Sequence, residues 1–249
     1  MAQTMNQPTV LAIDTSGPVA GCAVLKGGRV VHQIAMNHGL THSETLMPAV
    51  DQALTAAGLT CADLDAIAVV AGPGSFTGVR IGVCAAKGLA HAAGIPCARV
   101  HALETLSMNF YGFDGVCCPI LDARRGQVYC AAYDMKNGFP EQILPPDALP
   151  LEDFLERLPK NRRLMFLGDG VKVHGERLGQ IENAEIAPPH LRDLRADAAC
   201  ALAEARRDEW MEGARLTPVY LRAPQAERER RAGRDHTKSL KRQREEQAK

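Results

Sequence analysis

Residues 77–93 carry a helical pattern that is apolar on nearly every side. Arg80, Lys87 and His91 fall at i, i+7 and i+11, on one narrow stripe that also takes in Cys84. A helix laid on a sheet needs only one apolar face, so this segment predicts a helix with more than one neighbour. Gly78, Gly82, Ala86 and Ala90 recur every four residues and form a flat ridge on which another backbone can come close. Two surfaces fit such a ridge: the chain's own sheet and its helix over 41–57, or a second protein. We take the second as the expectation. The interface would draw Leu46, Val50 and Leu54 from the first helix and Phe76, Gly78, Val79, Gly82, Ala86 and Ala90 from the second.

The rest of the chain alternates strands with helices, which predicts an α/β fold. A strand over 10–14 is followed by a hairpin through Lys26-Gly27-Gly28 and a third strand from Arg29 to Met36. Thr41 and Glu44 have the spacing of a capping box, Pro48 predicts a kink, and Gly58 ends the first helix. Buried strands are expected over 66–71, 99–100, 116–121, 127–133 and 164–167, with a closing strand over 219–221. Further helices are expected over 103–110, near 151–158 and from 195 to about 211. The order meander, helix, strand, helix appears clearly once and again, more weakly, after Val116.

Three turns could carry chemistry. Asp14-Thr15-Ser16-Gly17, between a buried strand and a hairpin, looks like the first phosphate loop of the actin/sugar-kinase/Hsp70 class. Asp122-Ala123-Arg124-Arg125-Gly126 sits at the corresponding strand–turn–strand of the second half. Gly168-Asp169-Gly170 resembles the place where that class holds adenosine. Candidate nucleotide-binding residues are therefore Asp14, Thr15, Ser16, Asp122, Arg124, Gly168 and Gly170; three ordinary turns rich in Gly and Asp would read the same way. The segment from Gly72 to Arg80 lacks the Gly-Lys-Ser/Thr ending of a P-loop. No Ser-His-Asp arrangement stands out, and His38 with His42 gives too few ligands for a metal. The eight cysteines contain no C-x-x-C pair, so neither a zinc site nor a disulfide framework is expected.

Net charge is zero but uneven. Residues 223–249 hold nine Lys or Arg against five Asp or Glu, which leaves the remainder acidic by four. An acidic body lacks the basic patch of a stand-alone RNA binder, and the tail reads as a solvated, disordered end. No apolar run approaches the roughly 18 residues of a membrane span, and the N-terminus has no export pattern, so a cytoplasmic protein is expected.

One run is long and unusual: Gly72-Pro73-Gly74-Ser75-Phe76-Thr77-Gly78-Val79-Arg80-Ile81-Gly82. With Leu11-Ala12-Ile13-Asp14-Thr15-Ser16, the segment from His42 to Pro48, Leu121-Asp122-Ala123-Arg124, Gly126-Gln127-Val128-Tyr129 and Pro218-Val219-Tyr220-Leu221-Arg222, it resembles the TsaB (YeaZ) family over about residues 8–222. That resemblance implies two actin-like (ASKHA, ribonuclease-H-like) lobes over 8–115 and 116–222, the second smaller and less regular. It implies a non-catalytic subunit of the machinery that moves threonylcarbamoyl from threonylcarbamoyl-adenylate to the adenosine beside the anticodon of ANN-decoding tRNAs. The implied partners are a TsaD-like catalytic subunit, a TsaE-like ATPase and a second copy of the chain, with tRNA met only through the complex. No cofactor of its own is implied, though ATP or ADP near the partner interface is compatible with it. The catalytic paralogue binds metal through H-x-x-x-H, and the matching places here are Ala102 and Leu106, neither of which can coordinate. The alternative is a stand-alone nucleotide-dependent ATPase, kinase or carbamoyltransferase of the same fold.

Overall fold

The computed structural model describes residues 7–37, 39 and 41–222, so the charged tail and His38 lie outside the described residues. Met1–Val219 is one compact unit; a second begins at Tyr220, and only its residues 220–222 are described.

The first unit holds two five-stranded sheets of the same design. In the first, β1 (Val10–Asp14), β2 (Ala20–Lys26) and β3 (Arg29–Met36) form an antiparallel meander. Strands β4 (Ala66–Val70) and β5 (Cys97–Val100) then add in parallel beside β1, giving the order β3-β2-β1-β4-β5. The second sheet repeats this with β6 (Val116–Asp122), β7 (Gln127–Asp134), β8 (Glu141–Pro150), β9 (Leu164–Leu167) and β10 (Ala184–Ile186), in the order β10-β9-β6-β7-β8. The two matching sheets are the α/β, actin-like class that the sequence predicts.

Strands such as β1 read as unbroken apolar runs because both faces are covered. Val10 and Ala12 enter a core between the sheets, while Leu11 and Ile13 enter a core beneath helices α1 (His42–Ala56) and α2 (Phe76–Ala93). Helices α3 (Ala102–Ser107) and α6 (Ala196–Ala205) fill the space between the sheets, and each packs on the sheet of the opposite half. Thus α3 follows the first sheet in sequence but lies on β6 and β7, and α6 returns to β1 and β2. Helices α4 (Leu151–Arg157) and α5 (Gly170–Leu178) cover the outer face of the second sheet, where their Phe154 and Leu178 share a core with Phe166 of β9.

Four local expectations need correction. Thr41 precedes α1 but its side chain makes no cap; its carbonyl instead accepts from the Thr45 hydroxyl and the Glu44 amide. Residues 219–221 form no strand, and the Val219 amide bonds the Ala71 carbonyl. The helix expected over 103–110 ends at Ser107 and tightens into a 3-10 turn, Met108–Phe110. The last helix likewise stops at Ala205. Strand β8 was not foreseen. Pro145 and Pro146 cannot donate to a ladder, and they are tolerated because β8 is an edge strand.

Candidate functional site

The three suspected turns converge. Ser16, Gly17, Leu121 and Asp169 line one small cavity together with Arg192 and Asp193. Its volume is about 20 Å³, whereas pockets for small-molecule ligands run to roughly 300–1,000 Å³. The first turn is occupied by the chain itself. Asp14 is 2% exposed and its carboxylate accepts from the Ser16 amide at 2.8 Å. The Thr15 hydroxyl donates to the Gly78 carbonyl at 2.6 Å, and the Ser75 amide donates to the Ser16 carbonyl at 2.7 Å. Burial lifts the Asp14 carboxyl to about 6, against the pull of the Ser16 hydrogen bonding and the His42 ring.

The glycines of the 72–82 run are what allow this closeness. A side chain at Gly74 would overlap the Ser16 carbonyl, and one at Gly78 the Thr15 carbonyl. Across the cavity the Asp122 amide donates to Asp169 at 2.9 Å, while the Asp122 carboxylate accepts from the Arg124 amide at 2.8 Å. Arg124 and Arg125 take φ of 65° and 58° in the hairpin, and the Arg124 side chain is 87% exposed. Burial raises the Asp169 carboxyl, opposed by the Asp122 hydrogen bond. Gly168 and Gly170 pack against the Ile120 carbonyl. Geometry therefore brings the turns together, with Asp14, Thr15 and Asp122 engaged by the chain itself and the Ser16 hydroxyl buried without a partner.

The ridge of α2 needs correcting. Gly78, Val79, Gly82, Ala86 and Ala90 are buried inside the chain, as are Leu46, Val50 and Leu54 of α1. A Cβ at Gly82 would lie 2.5 Å from the Thr15 hydroxyl and 3.5 Å from Val69. The small residues bring α2 down onto β1 and β4, so eight of the nine proposed interface residues are not available to a second protein. Phe76 is half-buried, with the Arg80 guanidinium 3.7 Å from its ring centre. Besides exposed polar residues that include Glu44, Asp51, Arg80 and His91, α1 and α2 present Met47, Pro48, Thr77, Cys84 and Gly88, flanked by half-exposed Ile81 and Ala85. This face mixes small and apolar residues with charged ones. Its signal was in the sequence, as the stripe through Arg80 and Cys84.

Ala102 and Leu106 are wholly buried in the core between the sheets. Beside them, sequence reasoning missed a charged cavity at the end of β5, where Glu104 pairs with Arg206 from α6's C-terminus. Its residues come from segments about a hundred positions apart, and no spacing rule could have joined them. Among the described residues, no cluster of three or more His, Cys, Asp or Glu is placed to hold a metal, and no helix is long and apolar enough to cross a membrane.

Comparison with known proteins gives a consistent picture. A family model described as TsaD, tRNA N6-adenosine threonylcarbamoyltransferase, matches residues 29–228. The tRNA threonylcarbamoyladenosine biosynthesis protein TsaB of Bacillus subtilis is 39% identical over 222 residues, 88% of this chain and 96% of that one. TsaB of Escherichia coli is 35% identical over 146 residues, 55% of this chain and 63% of that one. YeaZ from Pseudomonas aeruginosa superposes with a TM-score of 0.74 at 30% identity, covering 86% of this chain and all of that one.

Proposed function

The chain belongs to the TsaB family, and on that premise we propose that it serves tRNA threonylcarbamoyladenosine biosynthesis as a non-catalytic, partner-activating subunit. In this reading a TsaD-like subunit transfers threonylcarbamoyl from threonylcarbamoyl-adenylate to the adenosine beside the anticodon. A TsaE-like ATPase joins the same assembly. The observation that carries the reading is the fate of the two places where the catalytic paralogue holds its metal. Here they are Ala102 and Leu106, apolar and sealed in the core. The small volume of about 20 Å³ between the phosphate-loop-like turns points the same way.

The docking surface we assign is the exposed face of α1 and α2, centred on Met47, Cys84 and Gly88, which serves a second copy of the chain when the partner is absent. Gly88 is the position to test, because a Cβ there meets nothing within 4 Å. Gly88→Arg is expected to change monomer stability by less than about 1 kcal/mol, the cost of an exposed helix glycine or its relief. Co-purification with the TsaD-like subunit should fall at least about tenfold, as for a bulky charge set in an interface centre, and tRNA modification by the mixture with it. Undiminished association would discard this face. ATP turnover by the purified chain, abolished by Asp14→Ala, would instead install the stand-alone enzyme.

A further inference from the structure

A cavity of about 510 Å³ opens at the carboxyl end of β5, lined by Arg99, His101, Glu104, Arg206, Glu209 and Val219 among others. It shares no residue with the small cleft of the phosphate-loop-like turns. In open α/β sheets the carboxyl ends of the strands are where ligands gather, and this volume lies within the usual range for them.

Its charges are unevenly matched. Arg206 forms a two-pronged pair with Glu104, one bond at 2.9 Å, and also feels Glu209. Two carboxylates thus share one guanidinium. Arg99 is exposed on the rim and has no ion pair among the described residues. Next to it, the His101 ring has its Nδ1 buried without a partner, so Nε2 is the nitrogen that can reach the cavity. An orphaned lone pair costs less than an orphaned N–H, so the proton belongs on Nε2. Burial, with Arg99 adding to it against Glu104, holds the ring's pKa near 4, so it stays neutral at pH 7. A guanidinium fork and an imidazole N–H therefore face the same space with nothing to bind.

We propose that this cavity binds a small anionic ligand, one bearing a carboxylate or a phosphate group, gripped by Arg99 and by the Nε2–H of His101. Glu104 and Arg206 hold the wall of the site in place, each neutralising the other, while Glu209 at the mouth disfavours highly charged anions. Planar pairing of a guanidinium with a carboxylate or phosphate supplies the specificity that a lone lysine would not.

The test follows the His101 imidazole protons by NMR, assigned by their loss in His101→Gln. The full-length chain is titrated with inorganic phosphate in one series and acetate in another, chloride keeping ionic strength fixed. Saturable shifts are expected in at least one series, and the series that saturates names the ligand's anionic group. Arg99→Ala, a change on the solvent-exposed rim, should weaken that binding by about tenfold, the worth of one charge-assisted contact. Two results would overturn the proposal: shifts that fail to saturate with either anion up to about 20 mM, or saturation that Arg99→Ala leaves unchanged.

Discussion

Gly82→Leu is expected to lower the urea midpoint of the isolated chain by the equivalent of about 3 kcal/mol or more, the upper range for overpacking a dense core. Even a β-carbon at this position would meet the Thr15 hydroxyl at 2.5 Å, with Val69 at 3.5 Å and Ile13 at 3.8 Å behind it. Moving α2 outward to make room would break the buried bond from the Thr15 hydroxyl to the Gly78 carbonyl. A loss of that size is a large share of the roughly 5–15 kcal/mol that keeps a domain folded. Gly88→Arg, about one and two-thirds turns further along the same helix, should leave the midpoint almost unmoved. The two glycines thus separate folding from association. A near-native midpoint for Gly82→Leu would mean that the ridge does not rest on β1 and β4.

That contrast also marks where the sequence stops being legible. The strands β1, β4 and β6 could be read because burial on both faces leaves unbroken apolar runs, and α2 because its few polar residues fall on one stripe. Periodicity tells that the ridge of Gly78, Gly82, Ala86 and Ala90 is covered, yet it cannot say by what. Over Gly78 and Gly82 the cover includes Ile13, Thr15 and Val69, brought there by sheet pairing that spacing does not encode. Capping failed similarly: the Thr41 and Glu44 spacing produced no side-chain cap, whereas Thr60 and Asp63 form a true capping box on a single 3-10 turn. Sites suffer most. The three suspected turns do meet, as their order in the two halves suggested. The pair of Glu104 and Arg206 spans 102 positions and depends on α6 crossing back to the first sheet.

The second large effect concerns pH, through two buried groups that act in opposite directions. Asp14 is raised from 3.8 to about 6 by burial, so the native state keeps a proton that the unfolded chain has already released. Its contribution to stability is intact below pH 3.8 and declines as pH rises towards 6, by about 3 kcal/mol in all. His101 is lowered from 6.5 to about 4, so the unfolded chain takes up its proton first as the solution is acidified. Its contribution is intact above pH 6.5 and is lost as pH falls towards 4, again by about 3 kcal/mol. Over that window the two slopes nearly cancel in the natural chain. Asp14→Asn keeps an acceptor for the Ser16 amide and removes one slope; its advantage over the natural chain should grow with rising pH and level off above 6. His101→Gln removes the other, and its advantage should shrink as pH rises. Urea unfolding of both variants and their combination across this range reads the difference, because titrating groups not coupled to Asp14 or His101 are shared and drop out. Opposite tilts in the single variants, with little tilt in the double, are the expected pattern. A pH-independent difference for Asp14→Asn would show that water reaches this carboxyl, and the tightly closed turn beneath α2 would have to be given up.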